Sequence, residues 1–258
     1  MRKRYGISSL KLTLALLGAL AFWEALGRSG LYPPHLFPPP SRVFPVVAEM
    51  AGSGELWGDL KASASRWGLG FVLGTALGLA GGLLFGRVRI FRETVSPLLH
   101  FARATPFIAL IPLAILWFGI GELGKVLLVA WGVFFPVWLN TQSGVEGVEE
   151  EYLWAAQSLG IRASRMYTEV LFPHSLPFVL AGMRIGISTG TFALAAAEMA
   201  GAFEGLVFRI FYSHQMFQTD RMMAGIVMVG CLAFTLDRLF YWGVRTATPW
   251  LDEERDEA

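Results

Sequence analysis

A regularly spaced set of polar residues lies in the apolar stretch 178–200. Arg184, Ser188, Thr191 and Glu198 follow one another at helical spacing, so they share one face of a predicted α-helix. Hydroxyl groups and a carboxylate on one face suit the binding or passage of a polar solute. The alternative for Glu198 is a structural role, in which its carboxylate anchors an adjoining loop. Ser188, Thr191 and Glu198 are therefore candidates for lining a solute path, and the second alternative stays open for Glu198.

The chain carries no recognisable catalytic motif. Its single cysteine, Cys231, can form neither an internal disulfide nor a cysteine-based metal cluster. No Walker A sequence is present, so the chain alone cannot hydrolyse ATP. We expect no catalytic residue, metal or cofactor on this chain, and an intramembrane enzyme using Glu198 and His100 is the least favoured hypothesis. The histidines lie in separate segments without a partner at catalytic spacing: His35, His100, His174 and His214.

The composition indicates a membrane protein. Of the 258 residues, 54% are hydrophobic and only 16% are charged, whereas a soluble domain has about 25% charged residues. The net charge of +1 excludes the large basic surface that nucleic-acid binding requires. We expect one all-α domain over residues 1–258, a bundle of six membrane-spanning helices. The predicted spans are 10–26, 67–85, 97–120, 123–139, 178–200 and 222–244.

The distribution of lysine and arginine predicts the orientation. With a cytoplasmic N-terminus, the inside segments hold 11 of these residues and the outside segments hold 7, as the positive-inside rule requires. Both ends of the chain, the run Arg2-Lys3-Arg4 and the acidic tail 252–257, are then cytoplasmic. The segment 27–66 is external and the loop 141–176 is cytoplasmic. Three arginines are expected near the cytoplasmic ends of their spans, where they can reach the headgroups: Arg103, Arg184 and Arg238.

Small residues and prolines predict how two of the spans pack. The second span has a glycine at every fourth position, which aligns them on one helical face. Such a face lets a second helix approach closely, and a pore-lining groove is the alternative. The third span should be kinked by Pro97, Pro106 and Pro112. The five aligned glycines are Gly70, Gly74, Gly78, Gly82 and Gly86.

The external segment is predicted to contain a short amphipathic helix. Five prolines between residues 33 and 40 oppose a helix there. Ser41 after them is a candidate N-cap. The apolar residues Val43, Val46, Val47 and Met50 then recur at helical spacing, so the helix should lie on the outer surface of the bundle.

The loop 141–176 predicts two short helices. Residues 146–158 read as a helix closed by Gly160, which can adopt the left-handed conformation that ends a helix. A second helix over 161–171 should stop before Pro173 and Pro177. Two helices joined at a glycine would form a compact knob, and the paired Ala155 and Ala156 would allow it to dock closely into a groove on another protein.

This loop resembles the signature of permease subunits of bacterial ATP-binding-cassette importers. That signature is Glu-Ala-Ala, three residues, Gly, nine residues, Ile, any residue, and Leu-Pro. Trp154 replaces the signature glutamate, so no salt bridge is expected from that position. The matching residues are Ala155, Ala156, Gly160, Val170, Phe172 and Pro173.

The resemblance extends along nearly the whole chain. The chain is similar to the sulfonate, nitrate and taurine branch of these permeases. Residues 105–125, TPFIALIPLAILWFGIGELGK, carry it, as do Val133-Phe134-Phe135-Pro136 and Asn140-Thr141. Residues 36–41 before the external helix and Ala197-Glu198-Met199 in the fifth span carry it as well.

The resemblance implies a fold like that of type I importer permeases and a set of partners. Two copies of the chain would form the pore in the inner membrane, in contact with lipid. Two separate ATPase subunits would bind ATP and Mg. A coupling loop would fit a cleft of the ATPase, and it contains Ala155, Ala156, Gly160, Val170 and Pro173. A periplasmic or lipid-anchored binding protein would deliver a small anion.

Two other functions are kept as alternatives. Some similar permeases carry a vitamin precursor such as a pyrimidine or riboflavin. An ion-coupled secondary transporter is the other alternative, although it would need coupling groups near the membrane midplane. The central parts of the predicted spans hold almost none.

Overall fold

The computed structural model describes residues 9–33 and 35–250. Within these ranges the chain forms α-helices and no strands. The predicted cytoplasmic ends, Arg2-Lys3-Arg4 and the tail 252–257, lie outside the described residues, as does Pro34. The helices are α1 (Ser9–Arg28), α2 (Pro40–Gly52), α3 (Glu55–Arg87), α4 (Arg89–Thr94), α5 (Ser96–Ala104), α6 (Ile111–Phe118), α7 (Glu122–Glu146), α8 (Glu150–Ser158), α9 (Ala163–Met166), α10 (Phe172–Gly201), α11 (Leu206–Gln215) and α12 (Thr219–Ala247).

The described residues confirm an all-α membrane bundle. Four helical stretches are long and apolar enough to cross a membrane: α3, α7, α12 and the continuous stretch Tyr167–Gly201 that includes α10. Counting α5 and the helical segment Phe107–Phe118 as one bent span gives five. The first predicted span corresponds to α1, a helix of 20 residues that is not among these stretches. The count of six spans therefore stays a prediction.

The third predicted span is sharply broken. Its two parts, Ser96–Ala104 and Phe107–Phe118, are bent by 94° relative to each other. The break lies at Thr105 and Pro106, and Thr105 adopts an extended conformation because a following proline disfavours the helical one. Pro97 and Pro112 instead lie in the first turns of α5 and α6, where a missing amide hydrogen costs nothing.

Helix α7 is packed between α3 and α10 at backbone contact distance. A methyl group added at Gly74 of α3 would lie 2.5 Å from the carbonyl oxygen of Ala130 in α7. A methyl group added at Gly182 of α10 would lie 2.7 Å from the carbonyl oxygen of Pro136. All five glycines of the predicted stripe face α7: Gly70, Gly74, Gly78, Gly82 and Gly86. These three helices form a closely packed unit, which we call the three-helix unit.

The helix of the segment 27–66 begins at Pro40, one residue before the predicted N-cap. Ser41 does not cap it. Its amide and hydroxyl groups both donate to the carboxylate of Glu24 in α1, at 2.9 and 2.7 Å. The N-cap is Pro39, which makes no side-chain capping bond. Val43 and Met50 are buried in a cluster with Leu206 and Ala224, so α2 packs against α11 and α12.

Candidate functional site

The predicted knob begins with a break in the helix expected over 146–158. α7 continues to Glu146, the chain turns at residues 147–149, and α8 starts at Glu150. Gly147 is the C-cap of α7, and its amide donates to the carbonyl oxygen of Ser143 at 3.0 Å. Glu150 and Glu151 in the first turn of α8 suit the positive end of its dipole. The knob, residues 147–171, is therefore a separate element at the end of α7.

Gly160 closes α8 through the geometry that the sequence predicted. Its φ is +77°, a left-handed conformation that costs glycine little and other residues more. The amide of Gly160 donates to the carbonyl oxygen of Gln157 at 2.9 Å, and that of Ile161 to the carbonyl oxygen of Ala156 at 3.1 Å. These two bonds form a Schellman motif, which fixes the direction in which the chain leaves α8.

The second knob helix does not stop before Pro173 as expected. α9 passes into a π-helical turn at Tyr167–Leu171, and α10 follows without a gap from Phe172. Pro173 lies in the first turn of α10. The π turn changes the hydrogen-bond register at this point, so the amide that proline lacks is not required. The knob is thus joined rigidly to α10 as well as to α7.

The knob has a buried side and an exposed apolar side. Ala156 and Leu153 are buried in a cluster that includes Val145 of α7 and Leu171 of the π turn. Val170 packs against this cluster, while Ala155 and Pro173 are exposed. The exposed side carries large apolar groups, among which Leu159 is 82% exposed. We call this surface the knob face, and it comprises Tyr152, Trp154, Ala155 and Leu159.

A buried ionic cluster joins the three-helix unit at the opposite end from the knob. Arg66 of α3 donates to Glu122, the first residue of α7, and to Glu198 of α10 at 2.9 Å. Glu198 also accepts from Ser63 at 2.7 Å and from the amide of Val207 at 2.9 Å. Both its oxygens are occupied and the residue is 1% exposed. These contacts favour the loop-anchoring role for Glu198 over the lining of a path.

The same end holds α11 through Asp59 of α3. Asp59 accepts from the amide of Gly205 at 2.9 Å and from Arg209 at 2.8 Å. Burial alone would lower the pKa of Arg209, but the hydrogen bond and the charge of Asp59 outweigh it, so the pKa is raised above its ordinary value. Sequence spacing did not predict this cluster, because α3 bonds to residues 56 to 150 positions later in the chain.

A cavity of about 920 Å³ lies between α10 and α12. Ser188 lines it, together with Arg184 and Asp237, whose side chains form an ion pair at 3.4 Å. Thr191 is half-buried, and its hydroxyl donates to the carbonyl oxygen of Ile187 in its own helix at 2.8 Å. The structure therefore separates the three path candidates: Ser188 lines the cavity, Thr191 bonds within its helix, and Glu198 belongs to the ionic cluster.

Arg184 is the central residue of the 35-residue stretch Tyr167–Gly201, because the π turn and α10 form one continuous helix. Its place near the cytoplasmic end of a membrane span stays a prediction. No group of His, Cys, Asp and Glu in the described ranges could hold a metal ion.

Comparisons with known proteins agree with this architecture. The family model described as binding-protein-dependent transport system inner membrane component matches residues 70–248. The putative aliphatic sulfonates transport permease protein of Bacillus subtilis is 36% identical over 92% of this chain and 87% of its own length. The taurine transport system permease protein of Escherichia coli is 34% identical over 93% of this chain and 89% of its own length.

Proposed function

Because the chain belongs to the family of binding-protein-dependent transport system inner membrane components, we propose that it conducts a small organic anion of the sulfonate class. It is a permease subunit of an ATP-binding-cassette importer and not itself an enzyme. Such a subunit works with an ATPase and a substrate-binding protein. The names of its relatives support the sulfonate class. A vitamin precursor is the alternative substrate.

The proposed coupling site is the knob. Its buried side joins α7 to the start of α10 through one apolar cluster, so a force on the knob acts on two helices of the three-helix unit. The knob face presents Trp154 and Leu159, side chains suited to filling a hydrophobic cleft on a partner. We assign that cleft to the ATPase subunit, and the knob end of the bundle is then cytoplasmic.

A change at the knob face tests this assignment without disturbing the fold. Leu159 is 82% exposed, so Leu159→Asp should leave the melting temperature unchanged but reduce co-purification with the ATPase by roughly ten-fold, because it places a charge in an apolar contact. Glu93→Ala, at an exposed pair outside the knob, is the matched control. Full co-purification and full ATP-driven uptake by Leu159→Asp would overturn the coupling role.

A second variant tests the geometry of the knob itself. Gly160→Pro requires φ near −65° where the chain has +77°, and it removes the amide that donates to Gln157. Gly160→Asn keeps the amide and tolerates the left-handed region. Co-purification with the ATPase should be lost for Gly160→Pro and retained for Gly160→Asn. Equal binding by both variants would contradict a role for this turn in docking.

The binding protein is assigned to the Arg66 end, which is then external. Residues of the predicted external segment and the α11–α12 turn line a shallow groove there, including His35, Arg42 and Phe217. Phe217 is 93% exposed with φ at +57°. A bulky residue in this conformation is strained, and such strain is typical of functional surfaces.

The importer would contain two copies of this chain and two ATPase subunits, with ATP and Mg on the latter. Reconstituted with both partner proteins in vesicles, it should take up ethanesulfonate or taurine only when ATP is supplied. Uptake driven by a sodium or proton gradient without ATP would favour the secondary-transporter alternative. Uptake of a pyrimidine or riboflavin in place of the sulfonates would favour the vitamin-precursor alternative.

A further inference from the structure

We propose that the cavity between α10 and α12 is an internal binding site for the transported organic anion, with Arg184 contacting the anionic group. This inference rests on the proposed function and adds a location and a residue to it. Asp237 pairs with Arg184 at 3.4 Å.

The position of the pair carries the first step. Arg184 lies fourteen residues before Glu198 in α10, about 21 Å along the helix at 1.5 Å per residue. The helical stretch continues past it in the other direction as far as Tyr167. With Glu198 at the outer boundary of a hydrocarbon core about 30 Å thick, the pair would lie in the inner half of the membrane. Charged side chains at such depth are costly in lipid and face water or protein.

The exposure of the pair carries the second step. In the single chain the side chain of Arg184 is 60% exposed and that of Asp237 is 38% exposed. By contrast, the side chains of the Arg66–Glu198 pair are 2% and 0% exposed. Arg184 and Asp237 make a single contact at 3.4 Å, whereas Arg66 donates to two carboxylates and to the carbonyl oxygen of Glu204. A solute anion can therefore replace Asp237 at Arg184 without a large loss of folding energy.

The lining of the cavity indicates the class of ligand. Arg184 lines the cavity beside Asp237, and its guanidinium is the group that would bind the anion. Hydroxyl groups of Ser188 and Tyr241 can donate further hydrogen bonds. Apolar side chains complete the wall and suit a short hydrocarbon chain: Leu180, Ile185, Phe240 and Val244. A small alkyl anion whose charge is spread over several oxygens fits this combination, because a guanidinium binds such groups through two parallel hydrogen bonds.

The test uses a single thiol in the cavity of the importer assembled with its ATPase in vesicles. Cys231, the native cysteine, is exposed on α12 and is first changed to serine. Ser188→Cys then places a thiol beside Arg184, and Leu239→Cys gives a control on α12. Leu239 is 60% exposed but does not line the cavity. The anionic reagent is 2-sulfonatoethyl methanethiosulfonate, and the cationic reagent is 2-(trimethylammonio)ethyl methanethiosulfonate. The rate at which each reagent modifies the protein thiol is divided by its rate with a free thiol in solution.

The proposal predicts that the anionic reagent modifies position 188 roughly ten-fold faster than the cationic one, because Arg184 attracts anions to the thiol beside it. Ethanesulfonate should protect this thiol, and neutral methanesulfonamide should not. Adding Arg184→Gln should abolish both the charge preference and the protection. Position 239 should react with neither reagent.

Two results would overturn the site. Failure of both reagents at position 188 would show that the groove faces lipid or is sealed by a second copy of the chain. Equal, unprotected modification would show a watery groove without an anion site. The proposed function fails separately, if the unmodified importer takes up no sulfonate with ATP present.

Discussion

Helix α10 forms two contacts of opposite character. On one side it packs against α7 in the three-helix unit, where a methyl group added at Gly182 would lie 2.7 Å from a backbone oxygen. On the other side it borders α12 across a cavity of about 920 Å³. Each side also has one arginine pair with a carboxylate, Arg66 with Glu198 at 2.9 Å and Arg184 with Asp237 at 3.4 Å.

The contrast shows how one helix can serve both rigidity and movement. Where glycines bring backbones into contact, no sliding is possible without steric overlap, so α3, α7 and α10 should move as one body. Where α10 and α12 are separated by the cavity, few packing contacts oppose a change in their spacing. We infer that force applied at the knob moves the three-helix unit and alters the α10–α12 cavity.

The largest expected effect is at the buried pair. Glu198→Ala leaves Arg66, Ser63 and the amide of Val207 without their shared acceptor. Breaking one side of a buried ion pair costs about 3–5 kcal/mol. Thermal unfolding in detergent, followed by tryptophan fluorescence, should show a large loss of stability.

The matched control for Glu198→Ala is Glu93→Ala. Glu93 pairs with Arg89, and both side chains are more than half exposed, so its removal should cost about 0–1 kcal/mol. If the two variants melt at the same temperature, the ionic cluster does not hold the three-helix unit together.

A smaller loss is expected from the glycine contact. Gly74→Ala adds a methyl group 2.5 Å from the carbonyl oxygen of Ala130, and overpacking of this kind costs about 1–3 kcal/mol. Gly68→Ala, on the same helix, meets no atom within 4 Å. It should be neutral or stabilising by about 0.5–1 kcal/mol, because alanine favours a helix over glycine. Equal melting temperatures for these two variants would refute the close packing of α3 on α7.

The sequence predicted the packing of the three-helix unit better than the open side of α10. The period of four from Gly70 to Gly86 exposed one packing face, and the same period in Gly182, Gly186 and Gly190 could have exposed the other. Periodicity reports which residues share a face of one helix. It does not report the distance between two helices, so the cavity and the Arg184–Asp237 pair could not be predicted.

Three other features of the structure differ from what the sequence predicted or were not predicted. Pro106 predicted a bend in the third span but not its angle of 94°. The helix expected over 161–171 does not stop before Pro173. The π turn changes the hydrogen-bond register there, so the amide that proline lacks is not required. The ionic cluster joins Ser63, Arg66, Glu122 and Glu198 from three helices, and only the assembled fold brings these together.

The smallest effect on stability, and the sharpest test of the comparison, is expected from Ser188→Leu. Like Gly74→Ala, this change enlarges a side chain on a membrane helix, but Ser188 is exposed and lines the cavity. The free energy of unfolding should therefore change by no more than about 0.5 kcal/mol, and the melting temperature should stay close to that of the unchanged protein. ATP-driven uptake of ethanesulfonate should nevertheless fall, because leucine removes a hydroxyl donor and narrows the space beside Arg184. A loss of stability as large as that of Gly74→Ala would mean that α10 and α12 are tightly packed in the membrane, and α10 would then have no open side.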